Sequence, residues 1–196
     1  MGRLFLFVFI IVVIQRLVEL VVANRNEKWI RNQGAIEIGA SHYKWMVLMH
    51  TSFFISLLVE VLVFERPLSP FWGVLLAVFL LMQVLRVWCL SSLGKFWNTK
   101  ILILPGANVQ KKGPYRWIRH PNYVIVTTEL IVLPLLFSAY FTAGLFLLLN
   151  IWMLSVRMPA EERALRELKK YNKWFWCKRK AEKSFVLGNV SIIFPF

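Results

Sequence analysis

Long apolar runs separated by polar, mostly basic connections dominate the pattern of this chain. The runs cover residues 4–23, 45–64, 71–90, 123–139 and 141–158. A helix rises about 1.5 Å per residue and the hydrocarbon core of a bilayer is about 30 Å thick, so about 20 apolar residues cross it. The pattern therefore predicts an all-α integral membrane protein with five transmembrane helices in a single domain, residues 1–196.

The last two runs share one apolar stretch, from Tyr123 to Met158. As a single helix it would be about 54 Å long, which exceeds the hydrocarbon core. Pro134 and Ser138 lie near its centre. We therefore expect two short spans joined by a tight turn around residues 138–142.

A further helix is expected after the last span. Pro159 is suited to the first position of a helix, and the residues that follow, up to Lys173, have a helix-forming composition. The apolar piece at 185–196 is too short to span a membrane. The sequence predicts a short cytoplasmic helix and tail over 159–196.

Charge sets the expected topology. The 196 residues carry 24 Lys and Arg against 10 acidic residues, a net charge of +14. Twenty of the 24 positive charges lie in three regions, 24–44, 91–122 and 157–196. Five spans place all three on one side, and the excess of positive charge predicts that this side is cytoplasmic and the N-terminus is outside. We expect a multi-pass protein of a bacterial plasma membrane that binds no nucleic acid.

Composition also excludes several kinds of site. There is no Asp, and the two cysteines, Cys89 and Cys177, form no CxxC pair. Three scattered histidines do not make a metal site. No glycine-rich nucleotide-binding pattern of the soluble type is present. The sequence therefore predicts neither a metal centre nor a disulfide framework, and it leaves the oligomeric state open.

Polar residues gather at the cytoplasmic ends of spans three, four and five. The connection 91–122 is rich in Gly and Pro near its end, which indicates a shaped loop. A hairpin of spans four and five returns Arg157 and Glu161 to the side of His120. Their spacing of four places both on one face if the helix continues through Pro159.

Two motifs in this order resemble a known family. They are GPYxxxRHPxY at 113–123 and, after the apolar hairpin, RxxxEE at 157–162. The chain resembles the isoprenylcysteine carboxyl methyltransferases over about residues 70–173. These are integral-membrane enzymes that use S-adenosylmethionine. The first part of the chain is similar to a bacterial branch associated with O-methylation of alkylpyrones.

The resemblance implies roles for individual residues. Arg157 falls on the arginine that orients the substrate, and it is the predicted catalytic and substrate-binding residue. Ala107 stands where the family often has His, and the tail beyond Tyr171 departs from the family pattern. The resemblance implies that the cofactor is bound in or beside a loop at 91–122 by Lys100, Gln110, Tyr115, Arg119, His120, Pro121, Asn122 and Tyr123. Glu161, after the apolar hairpin, falls on a further cofactor-binding position, a carboxylate of the family.

Glu129 is a separate candidate, because a carboxylate inside a membrane span is costly and usually faces the bundle. Arg86 in span three is its expected partner. The two residues either form a structural pair or line the tunnel of the substrate, and we assign Glu129 to substrate binding.

The leading hypothesis is an S-adenosylmethionine-dependent O-methyltransferase in the lipid bilayer. Its acceptor is expected to be a lipophilic or lipid-linked acid, either an alkylpyrone enol or an isoprenylcysteine-like carboxylate. One alternative keeps the fold and methylates a phospholipid. Another is a small transporter or structural membrane protein that uses Arg86 and Glu129. A reductase would need a nicotinamide-phosphate site, for which the sequence shows no motif.

Overall fold

A computed structural model of the protein describes residues 2–104 and 112–182. Gln110 and the end of the tail, 183–196, lie outside this range. Helices make up most of the described chain, with two short strands and two short 3₁₀ turns, Gly94–Phe96 and Gly113–Arg116. The longer elements are α1 (Gly2–Arg31), β1 (Ile36–Ile38), α2 (Ala40–Val63), α3 (Trp72–Leu93), β2 (Ile101–Ile103), α4 (Pro121–Leu136) and α5 (Tyr140–Glu182).

Four of the described helical segments are long and apolar enough to cross a membrane: Gly2–Arg31, His42–Val63, Trp72–Phe96 and Tyr140–Ala164. The outer faces of these helices are apolar, as Phe7, Val84 and Leu148 show, each about two-thirds exposed. In water such faces would be unfavourable, but in a bilayer they contact lipid. The prediction of an all-α multi-pass membrane protein is confirmed. The apolar helix α4, with 16 residues, is shorter than the other four.

The predicted turn between the last two apolar runs is present. Helix α4 ends at Leu136 and α5 begins at Tyr140. Ser138 adopts a positive φ of 52°, and the Ala139 N–H donates to the Pro134 carbonyl at 2.9 Å. The hairpin therefore lays α5 back along α4, and α5 also packs against α2.

The prediction of a separate helix after Pro159 is wrong. Helix α5 runs without interruption from Tyr140 to Glu182, with Pro159 inside it. Proline removes one backbone donor and crowds the preceding turn, which often bends a helix but does not have to end it. Continuity keeps Arg157 and Glu161 one turn apart on one helix face.

The two strands were not predicted. They form a two-stranded antiparallel sheet in which Glu37 pairs with Leu102. Each strand has three residues, too few to show an alternating pattern in the sequence. The sheet joins the connection between α1 and α2 to the one that follows α3.

A network of ionised side chains crosses the apolar interior. Arg86 on α3 bonds Glu19 on α1 at 2.7 and 2.5 Å and Glu129 on α4 at 3.0 Å. Arg16 bonds the same two carboxylates at 2.9 and 2.7 Å. Gln83 donates to the second Glu129 oxygen at 2.8 Å. Two cations face two anions, so the cluster is neutral and ties three helices together.

Candidate active site at the ends of α4 and α5

A chain of hydrogen bonds links the two predicted motifs. The Tyr123 hydroxyl, near the start of α4, donates to Glu161 Oε2 at 2.6 Å. The same hydroxyl accepts from Arg157 Nε at 3.3 Å. All three side chains are buried, Glu161 almost completely. The two motifs therefore meet in one buried site through a single phenol oxygen.

Neutral groups satisfy the rest of the Arg157 guanidinium. Nη2 donates to the Thr99 carbonyl oxygen at 2.6 Å, and Nη1 is in contact with the Met46 sulfur. Among the described residues Arg157 forms no salt bridge, and its closest link to a carboxylate runs through Tyr123 to Glu161. Within the described part of the chain, its positive charge therefore has no anion directly against it.

His120 lies beside the polar side chains of Tyr123 and Glu161. Its ring stacks on Tyr123 with centroids 5.3 Å apart, and its Nδ1 lies 3.7 Å from Glu161 Oε1. Burial lowers the pKa of His120; the charge of Glu162 opposes this shift and that of Arg119 adds to it. The ring is therefore mainly neutral at pH 7 and can act as a hydrogen-bonding group rather than as a counter-ion.

Two side chains in this region have buried polar atoms without a hydrogen-bond partner among the described residues. In the described part of the chain, Glu161 Oε1 and both amide atoms of Asn122 accept or donate no hydrogen bond. Leaving a buried polar group unsatisfied costs about 1–3 kcal/mol. Such groups at the start of α4 and on the adjacent turn of α5 could hold a polar ligand.

The loop before α4 docks closely on α3. Gly113 has a φ of 52°, and a Cβ there would lie 2.0 Å from Ser92 Oγ, so only glycine fits. Tyr115, two residues on, packs with Cys89 and Trp97. Burial raises the pKa of the Tyr115 hydroxyl, which stays protonated at neutral pH. The motif before His120 thus fixes where α4 begins.

Other predicted residues lie apart from this group. The Lys100 ammonium bonds Glu27 at 2.7 Å and lies over the Tyr43 ring. Arg119 is exposed and pairs with Glu162 at 3.2 Å. Neither contacts Tyr123, Arg157 or Glu161 through a hydrogen bond in the described structure. Pro121 is the first residue of α4, and Gln110 lies outside the described residues.

An apolar cavity of about 430 Å³ adjoins the site between α1, α2, α3 and α4. Glu129, Arg16 and Arg86 form a polar part of its wall. Met46 and Thr99, which both contact Arg157, also line it. The apolar side chains around it include Phe9, Val12, Phe53, Phe54, Leu58 and Phe79.

The sequence did not single out Met46, Thr99 or Glu27. Met46 is an ordinary apolar residue of a membrane span, and Thr99 contributes its backbone carbonyl rather than its side chain. Glu27 lies in the basic connection after the first apolar run. No spacing rule connects residues so far apart, so their positions become visible only in the folded chain.

Comparisons with known proteins agree with the motifs. Residues 74–167 match the model of the isoprenylcysteine carboxyl methyltransferase (ICMT) family. The chain is 48% identical over 157 residues to the protein YpbQ of Bacillus subtilis (strain 168), covering 80% of this chain and 94% of the relative. It is 27% identical over 154 residues to a protein of Haemophilus influenzae, covering 78% and 90%.

Both relatives are named as uncharacterized proteins, so neither identifies an acceptor. No solved structure gives a significant match. The family match covers α3, the loop, the hairpin and the part of α5 that carries Arg157 and Glu161. With the buried site that joins its two motifs, this multi-pass membrane protein belongs to the isoprenylcysteine carboxyl methyltransferase family.

Proposed function

We propose that this protein is an S-adenosylmethionine-dependent O-methyltransferase whose acceptor is a lipophilic acid. The observation that carries the proposal is the buried chain from Arg157 through the Tyr123 hydroxyl to Glu161. It sets the Arg157 cation beside the apolar cavity and the Glu161 carboxyl group near the unsatisfied amide of Asn122. An acidic acceptor needs a cation, whereas the ammonium and ribose hydroxyls of the cofactor need a carboxyl group. The arrangement offers these two groups at separate positions.

The residues present suit the proposed cofactor. Glu161 Oε1 is buried and has no hydrogen-bond partner in the described chain, so it can accept from an ammonium or from ribose hydroxyls. The Asn122 amide offers both a donor and an acceptor, and neutral His120 adds another donor. Bound S-adenosylmethionine would supply an activated methyl group. Tyr115 would shape the loop side of the same site.

Arg157 would hold the acceptor. A guanidinium stays charged even when buried and bonds a carboxylate in two places. An ionised carboxylate or acidic enol needs no strong general base, so the chain has only to bring the two reactants together in line. A phospholipid amine would place a cation against Arg157, and the site therefore favours the acidic acceptor.

We also propose the membrane arrangement. With about 24 Å of helix, α4 would be a fifth, short span beside the four long ones. The N-terminus would lie outside and the three basic regions in the cytoplasm of a bacterial cell, as the positive-inside rule predicts. The site and the extension of α5 would then face the cytoplasm, where a soluble cofactor is available.

Five other predicted residues are less central to the proposed site: Lys100, Arg119, Gln110, Pro121 and Glu129. Lys100 would hold the loop through Glu27, and Arg119 would act at the rim with Glu162. Glu129, bonded by Arg16, Arg86 and Gln83, would form part of the wall of the acceptor cavity.

Calorimetry of the detergent-solubilised protein with S-adenosylmethionine tests the cofactor site. We expect wild type to bind, and Glu161→Gln to bind at least tenfold more weakly because the anion is lost. Glu162→Gln removes the neighbouring, more exposed carboxylate and is the matched control, with affinity within about threefold of wild type. No binding by folded wild type, or equal losses in the two variants, would contradict the assignment.

A further inference from the structure

The Arg157 guanidinium lies next to the cavity but is not part of its lining. Arg157 is 3% exposed and does not line the cavity. Two of its contacts do line it, the Met46 side chain and Thr99. Thr99 contributes a backbone carbonyl that belongs to the turn before β2. The side chain between the cavity and Nη1 of Arg157 is therefore that of Met46.

A thioether is a poor partner for a buried cation. Sulfur of this kind is a weak hydrogen-bond acceptor, whereas a guanidinium pairs best with a carboxylate. The two arginines on the cavity wall illustrate the difference. Arg86 and Arg16 are each bonded to Glu19 and to Glu129. Of these three arginines, only Arg157 has no carboxylate bonded directly to it among the residues that the structure describes.

Met46 is also suited to move. Its side chain is unbranched with three rotatable bonds, and methionine adapts to irregular spaces in protein interiors. On one side it borders an apolar space of about 430 Å³ into which it can turn. An anion arriving from that space would offer Nη1 a stronger acceptor than the sulfur that it replaces.

We propose that Met46 is a displaceable gate between the cavity and Arg157, and that an amphiphile with an anionic head and an apolar body displaces it. The apolar body lies among Phe53, Phe54 and Leu58, and the head takes the place of the sulfur on Nη1. This inference rests on the proposed function, because the amphiphile would be the methyl acceptor. It adds the route by which the head group reaches Arg157 and names a residue that controls entry.

Methyl resonances of methionine give a direct test in the full-length protein. The chain has six methionines, so labelling with [ε-¹³C]methionine yields a small set of signals in lipid nanodiscs. Met49 is the matched control: it lies on the same helix with the same 7% exposure as Met46 but does not line the cavity. Met46→Leu and Met49→Leu assign the two signals.

Titration with octanoate, an anionic amphiphile, should shift the Met46 methyl signal progressively to saturation and leave Met49 nearly unchanged. Octanol has the same chain without the charge and should shift Met46 by less than a third as much. Arg157→Gln should abolish the octanoate effect. Equal shifts of Met46 and Met49, or equal shifts with octanol and octanoate, would overturn the proposal.

The same sample separates this inference from the proposed function. S-adenosylmethionine binding in a protein whose Met46 ignores octanoate would refute the gate and leave the methyltransferase proposal intact. A saturable octanoate shift in a folded protein that does not bind S-adenosylmethionine would support an anion gate and refute the methyltransferase proposal.

Discussion

At the scale of single residues, the site depends on one hydroxyl group. The Tyr123 hydroxyl bonds both Glu161 and Arg157. It therefore fixes the proposed cofactor-binding residue, Glu161, relative to the proposed acceptor-binding residue, Arg157. The sequence placed Tyr123, Arg157 and Glu161 together because motif order and helix spacing constrain them. It could not place Met46 or Thr99, whose contacts depend on how α2 and the β2 turn approach α5.

Tyr123→Phe tests this link. The substitution keeps the ring that stacks on His120 but leaves Glu161 Oε2 and Arg157 Nε without the hydroxyl. We expect a loss of stability of about 1–3 kcal/mol, the cost of unsatisfied buried groups, and weaker S-adenosylmethionine binding. Thermal unfolding and calorimetry in detergent measure the two effects. Tyr140→Phe, at an exposed position, should change neither; a harmless Tyr123→Phe would show that the link is dispensable.

At the scale of elements, the hairpin of α4 and α5 carries the site, and the loop at 112–120 fixes its position against α3. The turn of the hairpin was predictable because a membrane limits helix length. The continuity of α5 through Pro159 was not, since proline is compatible with either a start or a bend. The short sheet was hidden for a different reason: its strands pair across about 65 residues of sequence and carry no alternating pattern.

Gly113→Ala tests the docking of the loop. Its Cβ would meet Ser92 Oγ at 2.0 Å and Ser92 Cβ at 2.9 Å, and its φ is positive, so the loop has to lift from α3. We expect a lower unfolding temperature and at least tenfold weaker S-adenosylmethionine binding. The control is Gly144→Ala in α5, where no atom lies within 4 Å of the added carbon. If Gly113→Ala behaved like this control, the loop position would not matter for binding.

At the scale of the whole molecule, charge is distributed in two distinct ways. Most of the cations lie in the basic connections and the tail, as the sequence pattern indicates. A second group, around Arg86, lies inside the bundle and is neutralised by Glu19 and Glu129. The sequence suggested a pair of Arg86 with Glu129. The fold adds Arg16 and Glu19 to this pair, because these two α1 side chains bond to Glu129 on α4 and Arg86 on α3.

Arg86→Met tests the importance of this network for the fold. It would leave two buried carboxylates with Arg16 as their remaining cation, and breaking a buried ion pair in this way costs about 3–5 kcal/mol. We expect a large fall in the unfolding temperature in detergent. Arg3→Met, at an exposed position of α1, should stay close to wild type. Similar small effects in the two variants would mean that helix packing alone holds the bundle together.

The central claim is methyl transfer to a lipophilic acid held by Arg157. The most direct measurement incubates purified protein with radiolabelled S-adenosylmethionine and a lipid extract of the source cells, then counts label in the organic phase. Mass spectrometry of the same phase should reveal a species heavier by one CH₂ group. We predict label with wild type and nearly none with Arg157→Ala that still inserts and folds. Equal labelling by the two proteins, or none by folded wild type, would contradict the account.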